Sequence, residues 1–159
     1  MIPLLAAHGD KIRRAVAEQL PWVELVAVVR HGPPLWNPSR LAPVDEFVNT
    51  LEFFVHHEDV LRAQPDWTAR PLEPEVEHAI AGAIGRGGRL LTRKAGVGVT
   101  VEPSGRQPVR LHGGTPMVTI RGPLADCVLY VNGRKSVAQV ELDGPPDAVA
   151  KVETAPFGL

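Results

Sequence analysis

The chain of 159 residues predicts an α+β fold, in which a helical N-terminal part precedes a small α/β part. In the first part, apolar residues recur at the three- and four-residue intervals of amphipathic helices. After Gly96 the period falls to two, with Val99 and Val101 in alternation, which is typical of half-buried strands. We therefore predict two domains, a helical domain at residues 1–95 and an α/β domain at residues 96–159.

The N-terminal domain is expected to contain four helices separated by proline-rich breaks. Pro21 closes the first helix. The prolines between His31 and Pro38 predict a loop, because each disfavours helix in the residue before it. Pro74 suits the first turn of the fourth helix, whose middle is weakened by glycines at roughly 1 kcal/mol each relative to alanine. The predicted helices cover residues 4–20, 22–30, 44–64 and 73–91, and the glycines are Gly82, Gly85, Gly87 and Gly88.

The C-terminal domain is expected to alternate strands with short helices. The tract Pro103–Gly105 is a turn, so the strand before it can return as a hairpin. The prolines after Gly144 suit the first turn of a last helix. The predicted elements are strands at residues 97–101, 109–111, 117–120 and 137–142, a short helix within residues 122–130, and the helix that opens after Gly144.

Composition narrows the function classes. The 17 basic and 18 acidic residues give a net charge of −1 and are scattered along the chain, which argues against nucleic acid as a partner. The longest apolar runs, such as Leu25–Val29, are far shorter than the roughly 20 residues that a membrane-spanning helix needs, so no membrane association is expected. The N-terminus lacks the basic start and apolar run of a secretory signal, so a cytoplasmic location is expected.

Cys127 is the single cysteine, so the chain can form no intramolecular disulfide and no thiolate cage for zinc. It could serve as a nucleophile or as a core residue. Its neighbours Leu124, Ala125, Val128 and Leu129 favour the core, where free cysteine is common. Any metal must therefore be bound by histidine and carboxylate.

The most informative motif is Glu52 with His56 on the predicted third helix. Four residues make about one helical turn, so both side chains leave one face, which Asn49 and Asp59 extend. A carboxylate and an imidazole at this spacing can share a divalent metal. They can equally form a solvated helix face on which His56 bonds a neighbour, since this pair is less specific than a His-Glu-x-x-His motif.

The apolar residues around this pair favour a metal site. Phe53, Phe54 and Val55 lead us to expect that the carboxylate of Glu52 lies in apolar surroundings, where an unpaired charge is costly and a metal would offset the cost. Helical bundles commonly build metal sites from inward-facing Glu and His. The buried surface of the helix is expected to consist of Phe47, Leu51, Phe54 and Val55.

A third ligand is needed for a tight site, and the remaining histidines are poor candidates. His57 points away from His56, His31 and His112 neighbour glycines in predicted loops, and His78 lies on a glutamate-rich face. His8 alone lies on another apolar helix. Asp59 is either a ligand or the acceptor that orients the imidazole of His56.

The run Glu52-Phe-Phe-Val-His56-His-Glu-Asp59 resembles the Glu-x-x-Val-His-x-x-Asp signature of the mycothiol-dependent maleylpyruvate isomerase family. The stretch from Val118 to Lys135, with Gly-x-x-Ala-Asp and a closing Gly-Arg, resembles the small C-terminal domain of that family. Order and spacing both agree, so the resemblance covers nearly the entire chain. It implies that the N-terminal part is a DinB-like helical bundle.

The resemblance also implies the site. A divalent metal, usually zinc, would be held by Glu52, by His56 and by a histidine from a first helix that carries an Asp-Leu-x-x-His-like segment. This sequence has no such segment, so we expect the bundle to be incomplete and the third ligand to lie upstream of Met1. The metal would activate the cofactor mycothiol. Arg134 would bind an anionic group of the substrate, although it could equally be a turn residue before a strand.

Two hypotheses follow. The first is a metal-binding, mycothiol-dependent enzyme that catalyses thiol transfer to, or thiol-assisted isomerisation of, a small electrophilic substrate. The second is a non-catalytic truncated remnant or a small-molecule binding module of the same fold. In the second case the incomplete bundle exposes an apolar groove that a second copy of the chain could cover, giving a homodimer.

Overall fold

A computed structural model describes residues 21–31 and 42–158. The chain divides between Asp45 and Glu46 into two compact units. The described part of the first unit contains helix α1 (Trp22–His31), which confirms the second predicted helix and extends it by one residue. The predicted first helix with His8, and the predicted loop beyond His31, lie outside the described residues.

Helix α2 (Ala42–Arg62) begins just before the division and continues into the second unit. Its buried surface is the predicted one, because each of the four predicted apolar side chains is at most 7% exposed: Phe47, Leu51, Phe54 and Val55. The spacing of these residues places them along one side of the helix, so the opposite side faces solvent.

Helix α3 (Pro74–Leu91) has proline in its first turn, as predicted. The glycines that weaken it have a packing role at two positions. A Cβ atom at Gly87 would lie 1.8 Å from the ring of Phe47, and one at Gly88 would lie 2.5 Å from the side chain of Leu111. The loss of helix propensity is therefore offset by close contact with helix α2 and with the sheet.

The sheet contains four strands, β1 (Gly98–Pro103), β2 (Val109–His112), β3 (Met117–Gly122) and β4 (Glu141–Asp143), in the order β2-β1-β3-β4. Strand β1 pairs antiparallel with β2 and parallel with β3, and β3 pairs antiparallel with β4. The predicted alternation is confirmed, because the side chains on one face of the two central strands are fully buried: Val99, Val101, Val118 and Ile120.

Helices α4 (Leu124–Val131) and α5 (Pro146–Thr154) complete the unit, and α3 packs on both β2 and α4. The second compact unit begins at Glu46, so it contains helices from before residue 95 as well as the strands that follow it. The described chain has mixed α and β structure, as predicted. No described helix has both the length and the apolar character needed to span a bilayer.

The strand predicted at residues 137–142 is shorter than expected, since only residues 141–143 pair with β3. The preceding backbone groups have other partners. The carbonyl of Val137 accepts a hydrogen bond from Arg62, and the N–H of Gln139 donates one to Asp126. These buried side chains take the place of a neighbouring strand.

Candidate functional site

The polar stripe predicted on helix α2 lies on its solvent-facing side. The side chain of His56 is 65% exposed and that of Glu52 is 53% exposed. The expectation that Glu52 lies in apolar surroundings is therefore wrong. Its neighbour Phe53 is also exposed, because both residues lie opposite the buried side of the helix.

The imidazole of His56 lies between two carboxylates. Its Nε2 atom is 3.2 Å from Oε2 of Glu52, and its Nδ1 atom is 3.8 Å from Oδ2 of Asp59. The first distance is a close polar contact, and the second is too long for a hydrogen bond. Glu52 and His56 thus form a close polar pair one helical turn apart, as their spacing predicts.

Arg134 reaches this stripe from the turn that follows helix α4. Gly133 has a φ of 83°, a conformation that glycine adopts at little cost and that commonly ends a helix. The N–H of Arg134 then donates to the carbonyl of Leu129 at 2.9 Å, which closes the turn. The side chain of Arg134 leaves this turn towards helix α2.

The guanidinium of Arg134 is bound by Asp59. Its Nη2 atom donates to Oδ2 of Asp59 at 3.0 Å, and its Nη1 atom donates to the carbonyl of Asn132 at 3.1 Å. Asp59 and Arg134 are 75 residues apart in the chain. The structure therefore brings together the four described residues singled out for metal and substrate binding: Glu52, His56, Asp59 and Arg134.

A depression with a volume of about 150 Å³ lies beside these side chains. We call it the Glu52–Arg134 pocket. It is lined by Glu52, Asn132 and Arg134 together with Leu51, Val55, Phe157 and Gly158, and most of its lining surface is polar. A carboxylate and a guanidinium thus face one small, mainly polar space.

A buried charge network fixes helix α2 against helix α4. Nε of Arg62 donates to Glu58 at 3.0 Å, and Nη1 donates to Asp126 at 2.8 Å. These three side chains are 4–7% exposed. Burial lowers the pKa of Arg62, but hydrogen bonds to Asp126 and Glu58 outweigh it, so the pKa lies above its ordinary value.

This network positions the site, because Glu58 precedes Asp59 and Asp126 lies on the helix that leads to Arg134. Arg70 donates to Glu58 as well, at 3.2 Å. These residues were not among the candidates predicted from the sequence. The four-residue spacing of Glu58 and Arg62 was a usable signal for the helix pair. Nothing in the sequence pattern indicates that Asp126 completes it.

The two atoms of Glu52 and His56 that could bind a metal are separated by a distance that suits two ligands of one zinc ion. Two ligands of a tetrahedral zinc at about 2.0–2.2 Å from the metal lie about 3.3–3.6 Å apart. The observed distance between Nε2 of His56 and Oε2 of Glu52 is 3.2 Å. Within residues 21–31 and 42–158, no third histidine, cysteine or acidic side chain joins them in a group able to hold a metal.

The other candidate residues lie elsewhere. His57 faces Arg70, with 3.4 Å between its Nδ1 atom and Nη2 of Arg70, and His78 is exposed on α3. His112 ends strand β2 and does not lie in a loop as predicted. Cys127 is fully buried, and burial raises the pKa of its thiol to about 12, so the predicted core role is confirmed.

Comparisons with models of protein families, with curated proteins and with solved structures found no match.

Proposed function

We propose that this protein is a divalent-metal-binding, mycothiol-dependent enzyme with a DinB-like helical domain, which transfers a thiol to a small electrophile or isomerises it with the help of that thiol. The observation that carries the proposal is that Glu52 and Arg134 line one small pocket and that His56 lies 3.2 Å from Glu52. The resemblance assigns these three residues to one site, and their proximity supports that assignment.

Glu52 and His56 would hold the metal, most simply zinc, through Oε2 and Nε2. A catalytic zinc usually takes three protein ligands, so these two residues would need a third. When bound, the ion would hold a thiol in its thiolate form, which is the nucleophilic form. Because the two side chains are exposed and lie on a regular helix, a ligand can reach them without unfolding any element.

Arg134 would bind a carboxylate or another anionic group of the substrate. A guanidinium suits this role because its donors match two oxygens at once. Asp59 would orient Arg134, because it accepts a hydrogen bond from Nη2 of the guanidinium. The carbonyl of Asn132 holds the same guanidinium through Nη1. Leu51, Val55 and Phe157 also line the pocket and would contact the rest of a small substrate.

The alternative is a non-catalytic remnant or a small-molecule binding module of the same fold. One observation favours it. Asp59 lies 3.8 Å from Nδ1 of His56, whereas Glu52 lies beside Nε2 on the other side of the ring, and Asp59 is also bound by Arg134. The carboxylates of Asp59 and Glu52 therefore do not converge on one position that a metal could occupy. In this case the pocket would bind an anion through Arg134 without any metal chemistry.

The test is metal content, measured by elemental mass spectrometry on the protein and two variants. Glu52→Gln removes the proposed ligand charge and keeps the side-chain shape. Glu46→Gln is the matched control, because Glu46 is exposed on the same helix. We expect the protein and Glu46→Gln to retain about one ion per chain and Glu52→Gln to lose it. Equal metal content in all three would remove the ligand assignment.

The catalytic part of the proposal has a separate test. Zinc-loaded protein is mixed with mycothiol and a panel of small electrophiles. Thiol consumption reports transfer, and conversion of the electrophile to its isomer at constant thiol concentration reports isomerisation. We expect turnover of an electrophile that carries a carboxylate, and a large loss in Arg134→Ala. Stoichiometric metal without turnover of any electrophile would favour the binding module.

A further inference from the structure

The last described residues, 155–158, form one wall of the Glu52–Arg134 pocket. Two of them, Phe157 and Gly158, line the pocket. The segment also contacts the turn that carries Arg134, because the carbonyl oxygen of Phe157 lies 2.9 Å from where a Cβ atom at Gly133 would be. The position of this segment therefore determines how much space the pocket has. We call residues 155–158 the C-terminal wall.

Lys135 holds the C-terminal wall where the chain leaves helix α5. Its Nζ atom donates to three backbone carbonyls, those of Val152 at 2.5 Å, Glu153 at 3.0 Å and Ala155 at 2.6 Å. An ammonium has three N–H donors, so these bonds use all of them. The last carbonyls of a helix have no partner within it, and a positive charge is favourable there. Lys135 thus ties the first residue of the wall to the end of the helix.

The ring of Phe157 holds the wall further along. Phe157 is 9% exposed, and Nζ of Lys135 lies 4.3 Å from the ring centroid, a distance at which an ammonium is attracted to an aromatic face. The ring of Tyr130 packs edge-on against it, with 6.2 Å between the centroids. The N–H of Gly158 donates to the carbonyl of Leu91 at 3.2 Å. The wall is therefore held at residues 155, 157 and 158.

We infer that the C-terminal wall limits the size of the substrate, and that Lys135 and Phe157 are the residues that position this wall. The inference rests on the anion-binding role proposed for Arg134. The pocket volume of about 150 Å³ is below the range of about 300–1,000 Å³ that is usual for drug-sized ligands. A wall that cannot move away excludes larger molecules by steric clash. The substrate class is therefore a short carboxylate without a bulky substituent.

The test compares succinate with phenylsuccinate, which has the same two carboxylates and an added ring, by calorimetry with the full chain. We expect the unchanged protein to bind phenylsuccinate about tenfold more weakly, the lower end of the discrimination that pocket shape provides. Lys135→Met removes the ammonium and keeps an unbranched side chain, and Phe157→Leu shortens the buried ring. Each variant loosens the wall, so most of this tenfold difference should be lost in both.

The ratio of the two affinities is the informative quantity. Lys135 also neighbours Arg134 in the chain, but a shift of Arg134 would weaken the binding of both ligands, whereas a wall that yields favours the larger one. Phe47→Leu is a matched control, because Phe47 is 7% exposed and packs against helix α3. Lys151→Met is the second control, because Lys151 is exposed on helix α5. Both controls should keep the ratio of the unchanged protein.

The possible outcomes separate this inference from the proposed function. If Lys135→Met and Phe157→Leu keep the full ratio while Arg134→Ala binds neither ligand, the inference is overturned and the role of Arg134 stands. Equal affinity of the unchanged protein for the two ligands overturns it as well. If the unchanged protein does not bind succinate, the anion-binding role of Arg134 is wrong and the size limit fails with it.

Discussion

Two pairs on helix α2 have the same spacing and nearly the same distance but differ in burial. Glu52 and His56 lie four residues apart with 3.2 Å between their polar atoms, and both are more than half exposed. Glu58 and Arg62 also lie four residues apart, with 3.0 Å between them, and both are at most 6% exposed. The spacing in the sequence is the same, and only the side of the helix differs.

This difference in burial indicates which pair can bind a ligand and which pair stabilises the fold. Exposed pairs contribute little to stability, so their polar atoms can exchange partners at small cost. A buried charge that loses its partner keeps the cost of desolvation, so the network of Glu58, Arg62 and Asp126 resists change. Each set is suited to the role we assign, the exposed set to the site and the buried set to its support.

The largest effect is expected from Asp126→Ala, which leaves Arg62 buried with only part of its partners. We expect a loss of about 3–5 kcal/mol in the free energy of unfolding, measured by urea denaturation. Asp143→Ala is the matched control. Asp143 is bound by Arg121 at 2.8 Å, the same distance that separates Arg62 and Asp126, but it is exposed. The control should lose no more than about 1 kcal/mol. Equal losses would mean that burial does not separate the two kinds of pair.

An intermediate effect is expected from Gly133→Ala, at the turn that carries Arg134 to the site. The positive φ costs an alanine about 1 kcal/mol, and its Cβ would lie 2.9 Å from the carbonyl oxygen of Phe157, so we expect about 1–3 kcal/mol in total. Gly105→Ala is the control, because Gly105 has a φ of 73° with open space around it. The difference in unfolding free energy between the two variants measures the contact with Phe157. Equal unfolding free energies for the two variants would mean that the turn shifts enough to relieve the contact with Phe157.

Much of this fold is predictable from periodicity. The buried side of α2 and the buried face of β1 and β3 follow from spacings of three to four and of two, because each element has one side towards the core. The error over Glu52 arose from reading its apolar neighbours in sequence as its surroundings. On a helix, the residue beside it in the chain points about 100° away, so Phe53 indicates nothing about the burial of Glu52.

The parts that were not predictable depend on contacts between distant segments. The shortening of β4 requires Arg62 and Asp126 to bind the backbone at residues 137–139. The pairing of Asp59 with Arg134 requires the docking of α4 against α2 and the turn at Gly133. Periodicity describes one element at a time, so it cannot reveal which elements meet. The resemblance supplied Arg134 as a candidate, and its proximity to Glu52 is information that only the fold contains.

The smallest effect is expected for the pair of Asp59 and Arg134, which is about one-third exposed on each side. A double-mutant cycle of Asp59→Ala, Arg134→Ala and the double variant should give a coupling energy of about 0.2–1 kcal/mol in urea denaturation, because solvent screens a pair of this exposure. Arg121→Ala is a control for removal of an arginine of similar exposure with two acidic partners.

The same cycle can be read a second way, through binding to the Glu52–Arg134 pocket. If Asp59 orients Arg134 for an anion, Asp59→Ala should weaken carboxylate binding, measured by calorimetry with succinate, although it changes the unfolding free energy little. Removing Arg134 should weaken binding at least as much, and the double variant no more than Arg134→Ala alone, because both residues act through one guanidinium. A coupling above about 2 kcal/mol in stability, with no change in binding, would instead place this pair with the buried network that holds the fold.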